Sequence, residues 1–460
     1  MTPVLLLNPP WPASILRDYW CSSVAKAGYL WQPIDLLAQT GWLDHHGIGF
    51  QVIDAIAERL SVEECLRRVS ECDPALVYLL TSPLSAPEDD AFMAALGTRR
   101  LIVSGEAACA DPAAYLAGHP GVEGVLKDFV GDALARHVLG ERGALPGLFL
   151  RGDAAAPGAS MPRRQASFRM PVPRHLAFPG DAYRMPLLGG VRFATVMTDF
   201  GCPYRCRFCN SGASGHRLRD IANVVQELEA MQRWGFRHVF VKDMSFGAVR
   251  GHSLAVCAAL QRSGLTWHAY ARADCLDPPL VRAMAGAGCR LVQIGLESGD
   301  RDLRRTYGKN LDDAVLESAV RTCKAAGLKV GGHFVLGLPG ETPTTLLRTY
   351  RLAARLRPDY VSFNVATVRQ GSDFDGARSP GFGPDPERWT LAARNLMYLA
   401  YYSDVRWLWQ VLRGADGKDL RDLAVSGTGL WRSLVNGRAE RGWLRRLRAP
   451  AAGPGAPRKS

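Results

Sequence analysis

Between residues 191 and 368 six strand-length apolar runs alternate with five helix-length amphipathic ones. The strand-like runs are RFATVM (192–197), RHVFVKD (237–243), LTWHAYAR (265–272), RLVQIGLE (290–297), LKVGGHFVLG (328–337) and DYVSFNVA (359–366). Helical runs lie near 221–234, 251–263, 277–287, 311–326 and 342–356. Such alternation lays strands side by side in parallel with the helices outside. Six units predict a partial (β/α)6 TIM-type barrel over 191–384, three-quarters of the eight-fold form. Chemistry on such barrels sits at the carboxyl ends of the strands.

Residues 1–140 repeat the alternation as a separate unit. VLLLN (4–8), FQVIDA (50–55), ALVYLL (75–80), RRLIVSG (99–105) and VEGVLKD (122–128) read as strands, and PIDLLAQTGWLDHHG, SVEECLRRVSE and PEDDAFMAALG as helices. Ser61 with Glu64 has the spacing of a helix-capping pair. Five strands with intervening helices predict an α/β, doubly wound, Rossmann-like sheet, whose ligands lie beyond the carboxyl ends. Here those ends carry Asn8 and Pro9, Thr81 and Ser82, and Ser104 and Gly105. Residues 141–190 hold seven prolines and the stretch GDAAAPGAS, and read as a Pro-rich linker. Residues 385–460 read as a mainly helical, basic C-terminal region.

At 47% apolar and 22% charged, the 460-residue chain is globular in composition, and no run of 18 apolar residues marks a membrane span. The N-terminus lacks the basic start and small-residue cleavage site of a signal peptide. A reducing, cytoplasmic setting is expected. The net charge of +12 is uneven: residues 1–145 carry 10 Lys/Arg against 18 Asp/Glu, and residues 401–460 carry 12 against 5. No nucleic-acid module accompanies the basic excess, so a solvated basic surface is the simpler reading. In the tail, WLWQVLRG and WLRRLRAP read as a helix pair capping the barrel. The alternative is a Trp-bearing basic surface that touches a membrane and receives a lipid-like substrate.

Three of the 11 cysteines fall together: Cys202, Cys206 and Cys209 in GCPYRCRFCNSG, directly after the first barrel strand. A tight cysteine cluster in a reducing compartment more often binds metal than forms disulfides. Structural zinc needs four ligands, for which His216 is the nearest added donor. An iron–sulfur cube is usually held by four thiolates, so three would leave one iron open to a ligand.

At these residues the chain resembles the radical SAM superfamily. The matching features are the C-x3-C-x2-C spacing, Phe208 before the third cysteine, KDMSF (242–246), AYARADCLDPPLVRAMAGAGCRLVQIGLESGD and VGGHFVLGLPGET. The resemblance implies a 4Fe-4S cluster on the three cysteines that reductively cleaves S-adenosylmethionine (SAM) to a 5′-deoxyadenosyl radical, with a reductant such as flavodoxin or ferredoxin. It implies SAM contacts from Phe208 and His333 near the adenine, Asp243 at the methionyl amino group, Arg272 at the carboxylate, Glu297 and Ser298 at the ribose or methionyl end, and Gly337 on strand five. Each has a bland counterpart, such as a helix cap, a wall ion pair or a tight turn.

A doubly wound unit ahead of such a barrel resembles the cobalamin-binding radical SAM class, in which the corrinoid lies between the two units. That resemblance implies cobalamin-dependent methyl transfer to an unactivated carbon of a small-molecule or lipid-like substrate. Asn8, Pro9, Thr81, Ser82, Ser104 and Gly105 are then the expected corrinoid contacts. The D-x-H-x-x-G match at Asp44, His46 and Gly49 sits at the wrong sheet edge for a cobalt ligand and reads as a helix stop. Ser104-Gly105-Glu106 and KDFVGD depart from the class, and the aromatic loop WPASILRDYWCSSVAKAGYLW, whose Cys21 reads as a packed free thiol, could instead cover a bulky substrate. Alternatives are a radical SAM enzyme for rearrangement, cyclisation or oxidation, with or without a bound corrinoid, and a zinc-stabilised binding protein. RNA methylthiolation is disfavoured, because Cys21, Cys65, Cys72 and Cys109 form no triad and the tail reads helical.

Overall fold

The computed structural model describes residues 3–25, 28–141, 143–152, 167–367, 369, 386–405, 407 and 409. Most of GDAAAPGAS, and the tail expected to cap the barrel or touch a membrane, lie outside the described residues.

The first sheet runs Phe50–Asp54, Val4–Asn8, Leu76–Leu80, Leu101–Ser104, Gly124–Leu126, all parallel, and ends with Leu148–Leu150 antiparallel to its neighbour. Val4–Asn8 and Leu76–Leu80 are buried throughout, as expected of strands covered on both faces. The antiparallel strand corrects the linker expectation. Leu148 is apolar enough to bury beside Gly124–Leu126 despite the prolines around it. Two further short pairings fall in the same stretch: Ser167–Phe168 joins His216–Arg219, and Arg184–Met185 pairs with Val191–Arg192.

Strand order reverses at Val4–Asn8, which lies between the second and third strands of the sequence. A doubly wound sheet opens its ligand crevice at such a switch point. Here the chain fills it. The loop after the first strand forms a hairpin, Ile15–Asp18 against Cys21–Val24. Its Arg17 is fully buried and donates to Asn8 Oδ1 (2.8 Å), Pro9 O (2.8 Å), Ser85 Oγ (2.7 Å) and Asp89 Oδ1 (2.8 Å).

The second sheet is parallel and in chain order: Ala194–Val196, His238–Phe246, Thr266–Arg272, Cys289–Glu297, Lys329–Leu336, Tyr360–Val365. Alternate side chains of a strand face opposite ways. Val239, Val241, Trp267, Ala269, Val292, Ile294, Val330 and Phe334 pack in the core under the outer helices. Between them, Phe240 and Leu291 face the other way and belong to the core shared with the first sheet. On that inner side His238 Nδ1 meets Thr266 Oγ1 (2.7 Å), His238 Nε2 meets His268 Nδ1 (2.8 Å), and His268 Nε2 meets Tyr29 Oη (3.0 Å). At the open edge, the helix Pro386–Tyr402 covers Tyr360–Val365. Phe363 N donates to Tyr398 Oη (2.8 Å) and Val361 N to Tyr402 Oη (3.1 Å), so hydroxyls satisfy strand amides that would otherwise invite another strand. Among the described residues no helix is long and apolar enough to cross a membrane.

Candidate functional site

The cysteine loop leaves the second sheet through Asp199–Gly201, which pairs antiparallel with His216–Arg219. Gly201 sits at φ +80°, and a Cβ there would lie 1.8 Å from Gly215 O, so the turn into Cys202 requires glycine. Cys202 N donates to Gly215 O (3.1 Å), Cys209 N to Cys206 O (2.9 Å), and Arg207 N to Tyr307 O (3.0 Å). Trp20 of the hairpin donates through Nε1 to Ser214 Oγ (2.9 Å), so the first unit also holds the loop.

The three cysteines line one cavity of about 460 Å³ between the barrel mouth and the hairpin. The barrel contributes Tyr204, Phe208, Lys242, Tyr270, Arg272, Gln293, Gly295, Glu297, Lys309 and His333, and the hairpin and its flanks contribute Trp20, Cys21, Ser22, Tyr29 and Trp31. Burial pushes Cys202 up to about 12 and raises Cys206, while the Lys309 and Arg272 charges pull Cys206 down. Arg272 Nη1 points at Cys206 Sγ (3.6 Å), its guanidinium lies 4.4 Å over the Tyr204 ring, and its Nε meets Asp274 (2.9 Å). Glu297 pairs with Lys309. Among the described residues no three His, Cys, Asp or Glu side chains stand close enough to hold a single metal ion, a spacing that thiolates bound to different irons of one cluster do not need. His216 does not line this cavity; it pairs with Asp199 Oδ2 at 3.1 Å.

Of the SAM residues expected from sequence, Phe208, Arg272, Glu297 and His333 line the cavity, and Asp243, Ser298 and Gly337 do not. Asp243 accepts from Thr198 N (2.7 Å), Asp199 N (3.0 Å) and the Thr198 hydroxyl, so it ties strand two to the start of the cysteine loop. Ser298 is buried, where its hydroxyl accepts from Asp300 N (3.1 Å) and its carbonyl from Arg304 Nη1 (2.6 Å). Gly337 donates its amide to Glu341 in the turn after strand five.

None of the six expected corrinoid contacts reaches the cavity. Asn8 donates to Asp54 Oδ1 (2.9 Å) and, like Pro9, accepts from Arg17. Thr81 donates to Ser104 O (2.9 Å), Ser82 N to Asp89 Oδ2 (3.0 Å), and Ser104 to Asp35 Oδ1 (2.7 Å). Gly105 turns the chain into the short helix Glu106–Ala110. The hairpin and its flanks, with Leu84 from the loop after Leu76–Leu80, are the first unit's face toward the cavity. Helix Ile34–His45 stops at the D-x-H-x-x-G match, and His46 lies 3.9 Å from Asp132.

Lys242, Lys309, Tyr270, Gln293 and Trp20 are cavity residues that sequence reasoning did not single out. The available signal was a charged or amide side chain on the inward parity of an apolar strand, as at Lys242 and Gln293.

Residues 198–353 match the family described as the radical SAM superfamily. An uncharacterized methyltransferase of Pyrococcus horikoshii is 26% identical over 390 residues, 80% of this chain and 81% of that protein. The 2-(S-pantetheinyl)-carbapenam-3-carboxylate methyltransferase of Streptantibioticus cattleyicolor is 30% identical over 218 residues, 44% of this chain and 30% of its own length. Among solved structures, the radical S-adenosylmethionine methyltransferase TsrM of Kitasatospora setae, with cobalamin and a 4Fe-4S cluster bound, has a TM-score of 0.61 at 20% identity, covering 81% of this chain and 74% of that one. At that identity the likeness is one of fold.

Proposed function

We propose, from the premise that this chain belongs to the radical SAM superfamily, that it is a cobalamin-dependent methyltransferase acting on a small-molecule or lipid-like substrate and supplied with electrons by a flavodoxin- or ferredoxin-like reductant in a reducing compartment. When bound, the 4Fe-4S cluster supplies the electron that breaks the S–C5′ bond of SAM, and the corrinoid supplies a carrier for the methyl group. Cys202, Cys206 and Cys209 would hold the cluster. Arg272, beside Cys206, would take the SAM carboxylate, a partner suited to its planar fork. Glu297 and Lys309 would orient the ribose or methionyl end, and Phe208 and His333 would pack near the adenine. The hairpin residues Trp20 to Val24 would close the site against water and face the corrinoid.

What supports this reading is one shared cavity, with three thiols and a guanidinium on the barrel side and the first unit opposite. Its test is anaerobic turnover with methyl-labelled SAM and candidate substrates, read by mass spectrometry. Label in a product, dependent on added hydroxocobalamin, is expected. 5′-Deoxyadenosine without methyl incorporation would remove the methyltransferase assignment.

A second reading, radical SAM chemistry without a corrinoid, is favoured by Arg17. Its buried contacts fill the switch-point crevice in which a doubly wound sheet would take a ligand. A corrinoid spectrum retained at one equivalent after desalting would reject that reading.

A further inference from the structure

We propose that the floor of the cavity is a subsite for a carboxylate of the substrate, with Lys242 as its cation and Trp31 and Tyr270 as the ring walls beside it. The proposal rests on the radical SAM reading above and names a substrate class for it.

Lys242 is 1% exposed, yet it lines the cavity. An ammonium carries three donors and no acceptor, and burying it without partners is costly. Among the described residues its carboxylate partner is Asp18 Oδ2 at 3.7 Å, beyond hydrogen-bond distance. Asp18 is already engaged, with Trp20 N on Oδ1 (2.9 Å) and Trp31 Nε1 on Oδ2 (2.9 Å). Among the described residues its other hydrogen-bond contact is a weak one, Met244 Sδ at 3.8 Å. Three other cavity cations differ. Arg272, Lys309 and Arg369 each meet a carboxylate at 2.9, 2.5 and 3.0 Å.

A second donor lies on the same floor. Gln293 uses Oε1 with His333 Nε2 (3.1 Å), while its buried Nε2 lies near the Tyr29 and Tyr270 hydroxyls without a well-formed hydrogen bond among the described residues. An ammonium and an amide N–H together match the two oxygens of a carboxylate. The Lys242 ammonium lies 5.0 Å from the Trp31 ring centre and 5.9 Å from that of Tyr270, so an apolar ring can pack beside the charge. Among the described residues the charged lining is five cations, Lys242, Arg272, Lys309, Arg369 and Arg394, against one anion, Glu297.

SAM carries a carboxylate too, and depth separates the two. Lys242 follows Val241, whose partner is Ala269, and its ammonium lies 5.9 Å from the Tyr270 ring, two residues short of Arg272; the register then shifts before Phe246, which meets Ala271. Arg272 is the cation beside the cysteines; Lys242 lies one layer deeper in the barrel.

The test compares 2-naphthoate with 2-naphthamide, binding the full-length reconstituted protein with and without saturating SAM, by calorimetry. The wild type is expected to prefer the carboxylate by about tenfold, the usual strength of one desolvated charge-assisted contact. Lys242→Met should abolish the preference and leave SAM affinity within about twofold, and Lys242→Arg should restore part of it. Equal affinities in the wild type, no carboxylate binding at millimolar concentration, or an unchanged preference in Lys242→Met would overturn the proposal. A large loss of SAM affinity in Lys242→Met would also overturn it, by assigning the lysine to SAM. Should Lys242→Met not fold, Gln293→Leu carries the same comparison and should weaken the preference. The readout is binding, so failure of SAM cleavage would sink the enzyme reading without touching this result.

Discussion

Glu297 Oε1 lies 2.5 Å from Lys309 Nζ, at the mouth of strand four, with Glu297 held at φ +60°. A non-glycine residue in that conformation stores backbone strain, which concentrates at functional sites. Gly295 makes the arrangement possible: a Cβ there would stand 2.5 Å from Glu297 Oε1 and 2.6 Å from Lys309 Nζ. Gly295→Ala should therefore push the pair apart and weaken SAM binding about tenfold or more, measured by calorimetry, with the circular dichroism spectrum retained. Lys309→Met should lower stability by about 2–3 kcal/mol, somewhat under the cost of breaking a fully buried pair. Unchanged SAM affinity in both variants would detach this pair from the cofactor.

Arg17 and Asp89 form the ion pair that seals the first sheet. Burial lifts the Asp89 carboxyl to about 6, with the Arg17 charge opposing the rise. Asp89→Asn leaves a buried guanidinium without its counter-charge and should cost about 3–5 kcal/mol in urea denaturation. A loss below about 1 kcal/mol would mean that the crevice is hydrated and open rather than sealed.

The imidazole pair at the base of the barrel predicts acid lability. Burial lowers His238 to about 3 and depresses His268 well below the ordinary value. Below about pH 6.5 the unfolded chain takes up these protons and the folded chain does not, so stability falls as pH drops. Between pH 7.5 and 5 each imidazole should remove about 2 kcal/mol. The gap in denaturation free energy between those pH values should shrink by that amount in His268→Phe. An unchanged gap would show that the pair is solvated.

Asp243 is expected to act through the cysteine loop rather than on SAM. Asp243→Asn keeps one acceptor oxygen where Thr198 and Asp199 now share two. Iron retained per chain after desalting should drop severalfold, while the SAM affinity of the loaded fraction stays put. The opposite pattern, full iron with weak SAM binding, would return Asp243 to the cofactor.

The alternation of strand and helix patterns made both sheets legible, because burial on two faces writes itself as continuous apolar runs such as VLLLN and ALVYLL. The cysteine spacing made one wall of the cavity legible. Parity was the harder matter. Lys242 and Asp243 are neighbours on one strand and cannot both face inward. Motif resemblance favoured the acid, and the structure turns the lysine inward. Glu297 and Ser298 divide in the same way. The first-sheet residues stand away from this cavity for another reason. Strand ends mark a crevice only when nothing else fills it, and the Arg17 hairpin comes from a loop whose aromatics carry no regular period.

The central claim is tested most directly by 5′-deoxyadenosine formation from SAM after anaerobic reconstitution with iron and sulfide. The wild type should bind about four irons and form 5′-deoxyadenosine under reducing conditions, and Cys202→Ala, Cys206→Ala and Cys209→Ala should each form none. A colourless protein holding zinc, or product formation that survives any of the three substitutions, would contradict the account.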